Sequence, residues 1–232
     1  STLAGGDLRI SVIAVNTMLA GAAGAFTATV SVWLKFGKPD PSMLANGLLA
    51  GLVSITASCA FVTSTSSVII GGLAGVLVVE SVLFIERVLK VDDPVGAMSV
   101  HGVCGLFGTL CVGLFADGTY GHGLHGVAGG VRGLFYGGGS QFAAQLVGVV
   151  TCAVFVFTSF YAFFTLVEVT IGNRVSARAE IEGLDMPEMG AIGYPDFVLS
   201  EGPEGDHNIP AGKAPGAVSA QHPALKPLRD SR

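Results

Sequence analysis

Charge is scarce in this 232-residue chain. Only 12% of its residues are Asp, Glu, Lys or Arg, about half the share of an ordinary soluble domain. The scarcity is concentrated. Ile10–Leu34, Met43–Val62 and Leu134–Val167 carry no charged residue, and runs of that length argue against a soluble core. The net charge is only −5, with no basic stripe, so no nucleic-acid partner is expected. Cysteine is sparse too. Cys59, Cys104, Cys111 and Cys152 each lie in an apolar stretch, and no CxxC pair occurs. They read as small buried apolar residues, which sets aside a disulfide framework or a zinc site. No nucleophile–base pair or cofactor motif points to an enzyme, and no cofactor or metal is expected.

What the chain has is apolar length and glycine. Half of its residues are hydrophobic and 34 are glycine, which membrane helices tolerate because it lets backbones approach closely. A spanning helix needs about 20 mostly apolar residues. Five stretches qualify, near residues 10–34, 43–62, 68–84, 95–116 and 141–167. The third contains Glu80 and the fourth His101 as their ionisable residues. The expected fold is therefore an all-α polytopic membrane protein over residues 1–172. Lys35, Lys38, Arg87, Lys90, Arg174 and Arg178 fall on one side of these spans, and Arg9 and Arg132 on the other. The side richer in Lys and Arg is cytoplasmic, which puts the N-terminus outside and the C-terminus inside. An outside start with no signal peptide leads to the expectation that helices precede Ser1. After Gly172 the composition turns polar. Residues 173–197 read as a partly ordered cytoplasmic tail, and residues 198–232, rich in Pro, Gly and Ala, as a flexible extension.

His101 carries the most information. If Pro94 marks the first turn of its helix, the imidazole lies about 10 Å along it, well inside a core of about 30 Å. An ionisable group at that depth is a functional candidate by default. Gly102, Gly105 and Gly108 follow at three-residue steps and suit close helix packing. Asp92 and Asp93 precede the helix, where carboxylates cap free N–H groups and complement the dipole. His122 and His125, in a Gly-rich outer loop, read as ordinary loop residues rather than metal ligands. The aromatics of Phe155–Phe164 read as a lipid-facing or packing surface.

Three segments together resemble the ammonium transporter family, with the Rh proteins as relatives. They are Asn46-Gly-Leu-Leu-Ala-Gly-Leu-Val-Ser-Ile-Thr-Ala-Ser-Cys59, Val91-Asp-Asp-Pro94 with Val100-His-Gly-Val-Cys-Gly105, and Glu182-Gly-Leu-Asp185. The resemblance extends over roughly residues 1–197. It implies an eleven-helix subunit, of which these spans match the last five, assembled as a trimer with one pore per subunit. It implies that His101 is the second of two facing pore histidines, the first lying upstream together with the gating aromatics. It implies that Ser1 lines an outer ammonium recruitment site. It further implies that Gly183, Asp185, Gly190 and Tyr194 belong to a regulatory tail that contacts inner loops and a PII-type signalling protein. Met189 stands where the family often has histidine. The implied function is ammonium or ammonia transport across the cell membrane. A Rh-type gas channel and an ammonium sensor signalling through its tail are the alternatives.

The charge bias is directly checkable. A cysteine introduced at Lys38 should resist a membrane-impermeant thiol reagent applied outside, whereas one at Gly123 should react. External labelling at position 38 would invert the topology.

Overall fold

The structure, a computed structural model, describes residues 8–120 and 129–191. Helices dominate it. They are α1 (Ile10–Phe36), α2 (Pro41–Thr56), α3 (Ser64–Phe84), α4 (Cys104–Phe115), α5 (Gly139–Thr170) and the short α6 (Ala177–Glu182). A π-helical turn, Ile85–Leu89, prolongs α3, and a π-helical segment, Met98–Val103, leads into α4. Two compact units result, one up to Gly172 and one from Asn173. Among the described residues, four helical stretches are long and apolar enough to cross a membrane: Ile10–Phe36, Ser64–Leu89, Met98–Phe115 and Gly139–Thr170.

Small residues build the centre of the first unit. The buried face of α1 includes Asn16, Ala20, Gly24, Ala28 and Val32, one every four residues. Such a stripe on one helix face lets neighbouring backbones come close. At Gly24 a side-chain carbon would collide with the carbonyl of Gly47 on α2. At Gly71 and Gly75 on α3 it would collide with the carbonyls of Ala20 and Gly24. These pairings show that α2 runs antiparallel to α1 and α3 runs parallel to it. Thr27 Oγ1 donates to the Gly72 carbonyl at 2.8 Å, a polar tie at the same contact. At the far end of α1, Lys35 pairs with Glu80 of α3 at 2.9 Å, so the third stretch's lone charge is neutralised across the helix pair.

The second apolar stretch differs from expectation. Its helix begins at Pro41, with Asp40 Oδ1 accepting the N–H groups of Ser42 and Met43, but it stops at Thr56. Sixteen residues reach only about 24 Å, and residues 57–62 form turns instead. Non-helical backbone is tolerated at membrane depth where protein groups satisfy it. Here Asn16, fully buried, does so. Its Nδ2 donates to the carbonyls of Cys59 and Val62 at 3.0 and 2.9 Å, and its Oδ1 accepts from Ser64 Oγ at 2.9 Å. The Phe61 carbonyl accepts the N–H of Asp117 at 3.1 Å, which joins these turns to the end of α4.

α4 packs on α2 and α3. Ser54 Oγ donates to the Cys104 carbonyl at 3.0 Å, and Gly108 sits against the Ser54 backbone. A short 3-10 turn, Leu134–Tyr136, occupies the lead-in before α5, and its Phe135 ring meets Phe115 edge-on at 5.2 Å. α5 touches α4 near its start, where Gly113 faces Phe142. None of its 32 residues is buried in this chain, its aromatics Phe155, Phe157, Phe160, Tyr161, Phe163 and Phe164 included.

The α1–α2–α3 contact sets a stability test. Gly24→Ala should destabilise the purified protein by about 1–3 kcal/mol through overpacking. Gly148→Ala on α5, where a methyl group meets nothing within 4 Å, should change stability by less than about 0.5 kcal/mol. Equal thermal midpoints for the two variants would contradict this packing.

Candidate functional site

The site grows from the loop before α4. The chain leaves α3 through the π turn and Lys90, whose φ of 55° is left-handed. It then runs through Val91, Asp92, Asp93 and Pro94. Asp92 is exposed, whereas Asp93 is buried. Both Asp93 carboxylate oxygens are engaged. Oδ1 accepts the N–H of Met98 at 2.9 Å. Oδ2 accepts the N–H of Ser99 at 3.0 Å and the Ser99 hydroxyl at 2.9 Å. Burial pushes this carboxyl upward, but these bonds outweigh it and hold the group below its ordinary range. Hydrogen bonds to the ionised form have that effect.

Asp93 thereby closes the free N–H groups at the start of the π-helical segment. Pro94 lies in the preceding turn, so the helix begins three to four residues later than a start at Pro94 implies. Gly96, with φ 71°, lies under the amide of the buried Asn46, where a side-chain carbon would come 2.6 Å from Nδ2. Within the segment the Cys104 N–H reaches the Ser99 carbonyl, five residues back. Ser99 and Val100 are buried, and His101 and Gly102 are exposed. A side-chain carbon at Gly102 would meet nothing within 4 Å, and one at Gly105 only Val53 at 3.8 Å. Of the three spaced glycines, Gly108 alone is pressed against a neighbouring backbone in this chain. Gly102 and Gly105 border the open face that carries His101.

The second unit holds the tail residues. Ser176 caps α6 by accepting the Ala179 N–H, and Arg174 Nε donates to Glu180 at 3.1 Å. Gly183 (φ 98°) ends the helix, a π turn spans Asp185–Met189, and Gly190 (φ 67°) ends that turn. Positive φ at both positions favours glycine. Ser1, His122, His125 and Tyr194 lie outside the described residues.

Several residues of this architecture escape a reading based on charge and apolar length. Asn16, Ser54 and Ser99 are uncharged and sit in runs that read as apolar, yet each is buried and hydrogen-bonded. An amide such as Asn16 within a spanning run was the available signal, since polar groups at depth need partners.

The Asp93 contacts predict an acid limit to stability. A carboxyl whose pKa is lowered on folding stabilises the native state above its unfolded value, about 4, and that contribution is lost as pH falls through the lower folded value. The thermal midpoint of the solubilised protein should therefore carry no Asp93-dependent change between about pH 5 and 8 and should drop in stronger acid. Asp93→Asn should cost about 1–3 kcal/mol at neutral pH and flatten the acid limb. Superimposable profiles for the two proteins would show that Asp93 contributes nothing.

Comparison with known proteins agrees with this architecture. The sequence profile described as Ammonium Transporter Family matches residues 1–194. The chain is 45% identical over 202 residues to the ammonium transporter Amt2 of Archaeoglobus fulgidus, covering 87% of this chain and 42% of Amt2. Among solved structures it is similar to a Sensor Amt Protein, with a TM-score of 0.69 and 33% identity, over 78% of this chain and 42% of that one. It is likewise similar to Candida albicans Mep2, with a TM-score of 0.67 and 27% identity, over 74% of this chain and 38% of Mep2. The chain thus spans less than half the length of these relatives. Its sequence and its helical membrane fold place it in the ammonium transporter family.

Proposed function

We propose that this chain forms one wall of an ammonium-conducting pore and that His101 is a pore imidazole. The observation that carries the reading is the placement of His101. It lies on a membrane-length helix, on the face left open by α2 and α3, beside glycines that add no bulk. The further length that the relatives have would supply the opposite wall and the first histidine of the pair, which His101 would face.

The chemistry suits the residue. Ammonium entering a dry channel loses its hydration at a large cost. Leaving its proton behind lets neutral ammonia pass. A neutral imidazole offers one donor and one acceptor, so two facing rings can bond ammonia and pass a proton between them. In this reading the ends of α1, α3 and α5, with Lys35, Lys38, Arg87 and Lys90, lie at the cytoplasmic face of the cell membrane. The subunits assemble as a homotrimer. The segment around Gly183, Asp185 and Gly190 forms a regulatory tail open to a PII-type protein. Ser1 and Tyr194 keep their proposed places at the outer recruitment site and in the tail. Asp93 serves the helix start, and Asp92 faces outward from it.

A second reading, ammonium sensing, draws support from the likeness to the protein named Sensor Amt Protein. Flux separates the two. In the assembled transporter, reconstituted into liposomes, His101→Ala should change ammonium flux or its selectivity over potassium by about tenfold or more, the scale of one buried hydrogen bond to substrate. The amount of assembled protein should stay near normal. Unchanged flux and selectivity would remove His101 from the conduction path.

A further inference from the structure

We propose that the π-helical segment Met98–Val103 is a one-residue register shift that turns His101 out of the packed helix face, and that Asp93 is the positioning residue that holds it. The proposal deepens the pore reading above and rests on it for its functional meaning, though not for its structural test.

The packed face of α4 contains Cys104, Gly108 and Cys111. In an unbroken α-helix, at 3.6 residues per turn, that face continues backward through positions 101 and 97. The chain does otherwise. His101 and Ala97 are exposed, and Gly96, Ser99 and Val100 are the buried residues. The burial pattern before the segment is displaced by one position from the pattern after it. That displacement is what one extra residue in a single wide turn produces. Without it, the register of α4 would point the imidazole toward α2 and α3 and place Ser99 on the open side.

Contacts on both sides hold the shifted register. The Asp93 carboxylate binds the N–H groups of Met98 and Ser99 and the Ser99 hydroxyl, so it fixes the segment's first turn at two successive residues. Ser99 is fully buried with its hydroxyl on that carboxylate. Gly96, with its left-handed φ of 71°, lies against the Asn46 amide of α2, which anchors the loop side of the turn. Beyond the segment, Ser54 bonds the Cys104 carbonyl and Gly108 sits on the Ser54 backbone, which anchors α4. The extra residue is thus trapped between two fixed points on α2, and His101 lies between them. A π turn inserted in a helix often marks a functional position, and here it supplies a mechanical reason: packing and aim are satisfied together.

The test uses the assembled protein in proteoliposomes, with Cys59, Cys104, Cys111 and Cys152 replaced by serine or alanine. Single substitutions His101→Cys and Ser99→Cys are compared by their rate of reaction with silver ion, a probe small enough to enter a narrow pore. The first should react and the second should be protected. Adding Asp93→Asn to His101→Cys should slow the reaction by about tenfold, as loss of a charged buried acceptor frees the turn. Asp93→Asn with native His101 should lower ammonium flux per assembled molecule by a similar factor, and Asp93→Glu should recover part of it. Faster reaction at position 99 than at 101, or a rate at 101 indifferent to Asp93, would overturn the register shift. Should His101→Ala leave transport unchanged while the labelling pattern holds, the pore reading falls and the register shift stands.

Discussion

Inside a hydrocarbon layer, a peptide group released from its helix finds no water to bond, and leaving it bare costs several kcal/mol. The turns after α2 and both ends of the π-helical segment before α4 are accordingly tied to polar side chains placed to meet them. Asn16 serves the turns after α2, bonding two carbonyls and receiving the Ser64 hydroxyl. Asp93 serves the start of the π-helical segment, accepting two N–H groups and a hydroxyl. Ser54 bonds the carbonyl of Cys104 where that segment passes into α4. These irregular stretches are thus bonded to protein side chains, and His101 lies within one of them.

The second dependence is on bulk. Hydrophobic burial gives little drive between helices already in lipid, so association relies on close van der Waals contact and on hydrogen bonds between helices. The stripe of Asn16, Ala20, Gly24 and Ala28 on α1 and the glycines facing it on α2 and α3 bring backbones together until a methyl group would collide with a carbonyl. That three-helix block gives α4 a fixed surface to lean on. The open glycines at 102 and 105 do the opposite service, leaving the face beside His101 unfilled. Glycine is therefore used in two ways: to close the scaffold and to leave the face beside His101 open.

Much of this was legible in the residues. The four long helices overlap charge-poor runs, because lipid excludes charge and the run lengths match a bilayer. The exception is instructive. The run Met43–Val62 reads as one span, but its helix ends at Thr56, since apolarity does not distinguish helix from turns sealed by a neighbour's amide. His101 stood out because an ionisable residue in an otherwise charge-free, membrane-length run is costly. Its orientation did not, because a π turn leaves no mark on composition and shows only as a one-position slip in burial. Asp93 and Asp92 look alike in sequence. Only the path of the loop determines that the first is buried on the helix start and the second faces outward.

The account stands on irregular backbone being sealed by protein rather than by water. Amide hydrogen exchange of the assembled protein in lipid nanodiscs measures that directly at Met98, Ser99 and Asp117, whose N–H groups bond Asp93 and the Phe61 carbonyl. Protection at these amides equal to that of the α1 interior is the predicted result. Exchange as fast as that of exposed loop amides would mean that water reaches these groups and that the sealed junctions do not hold the site.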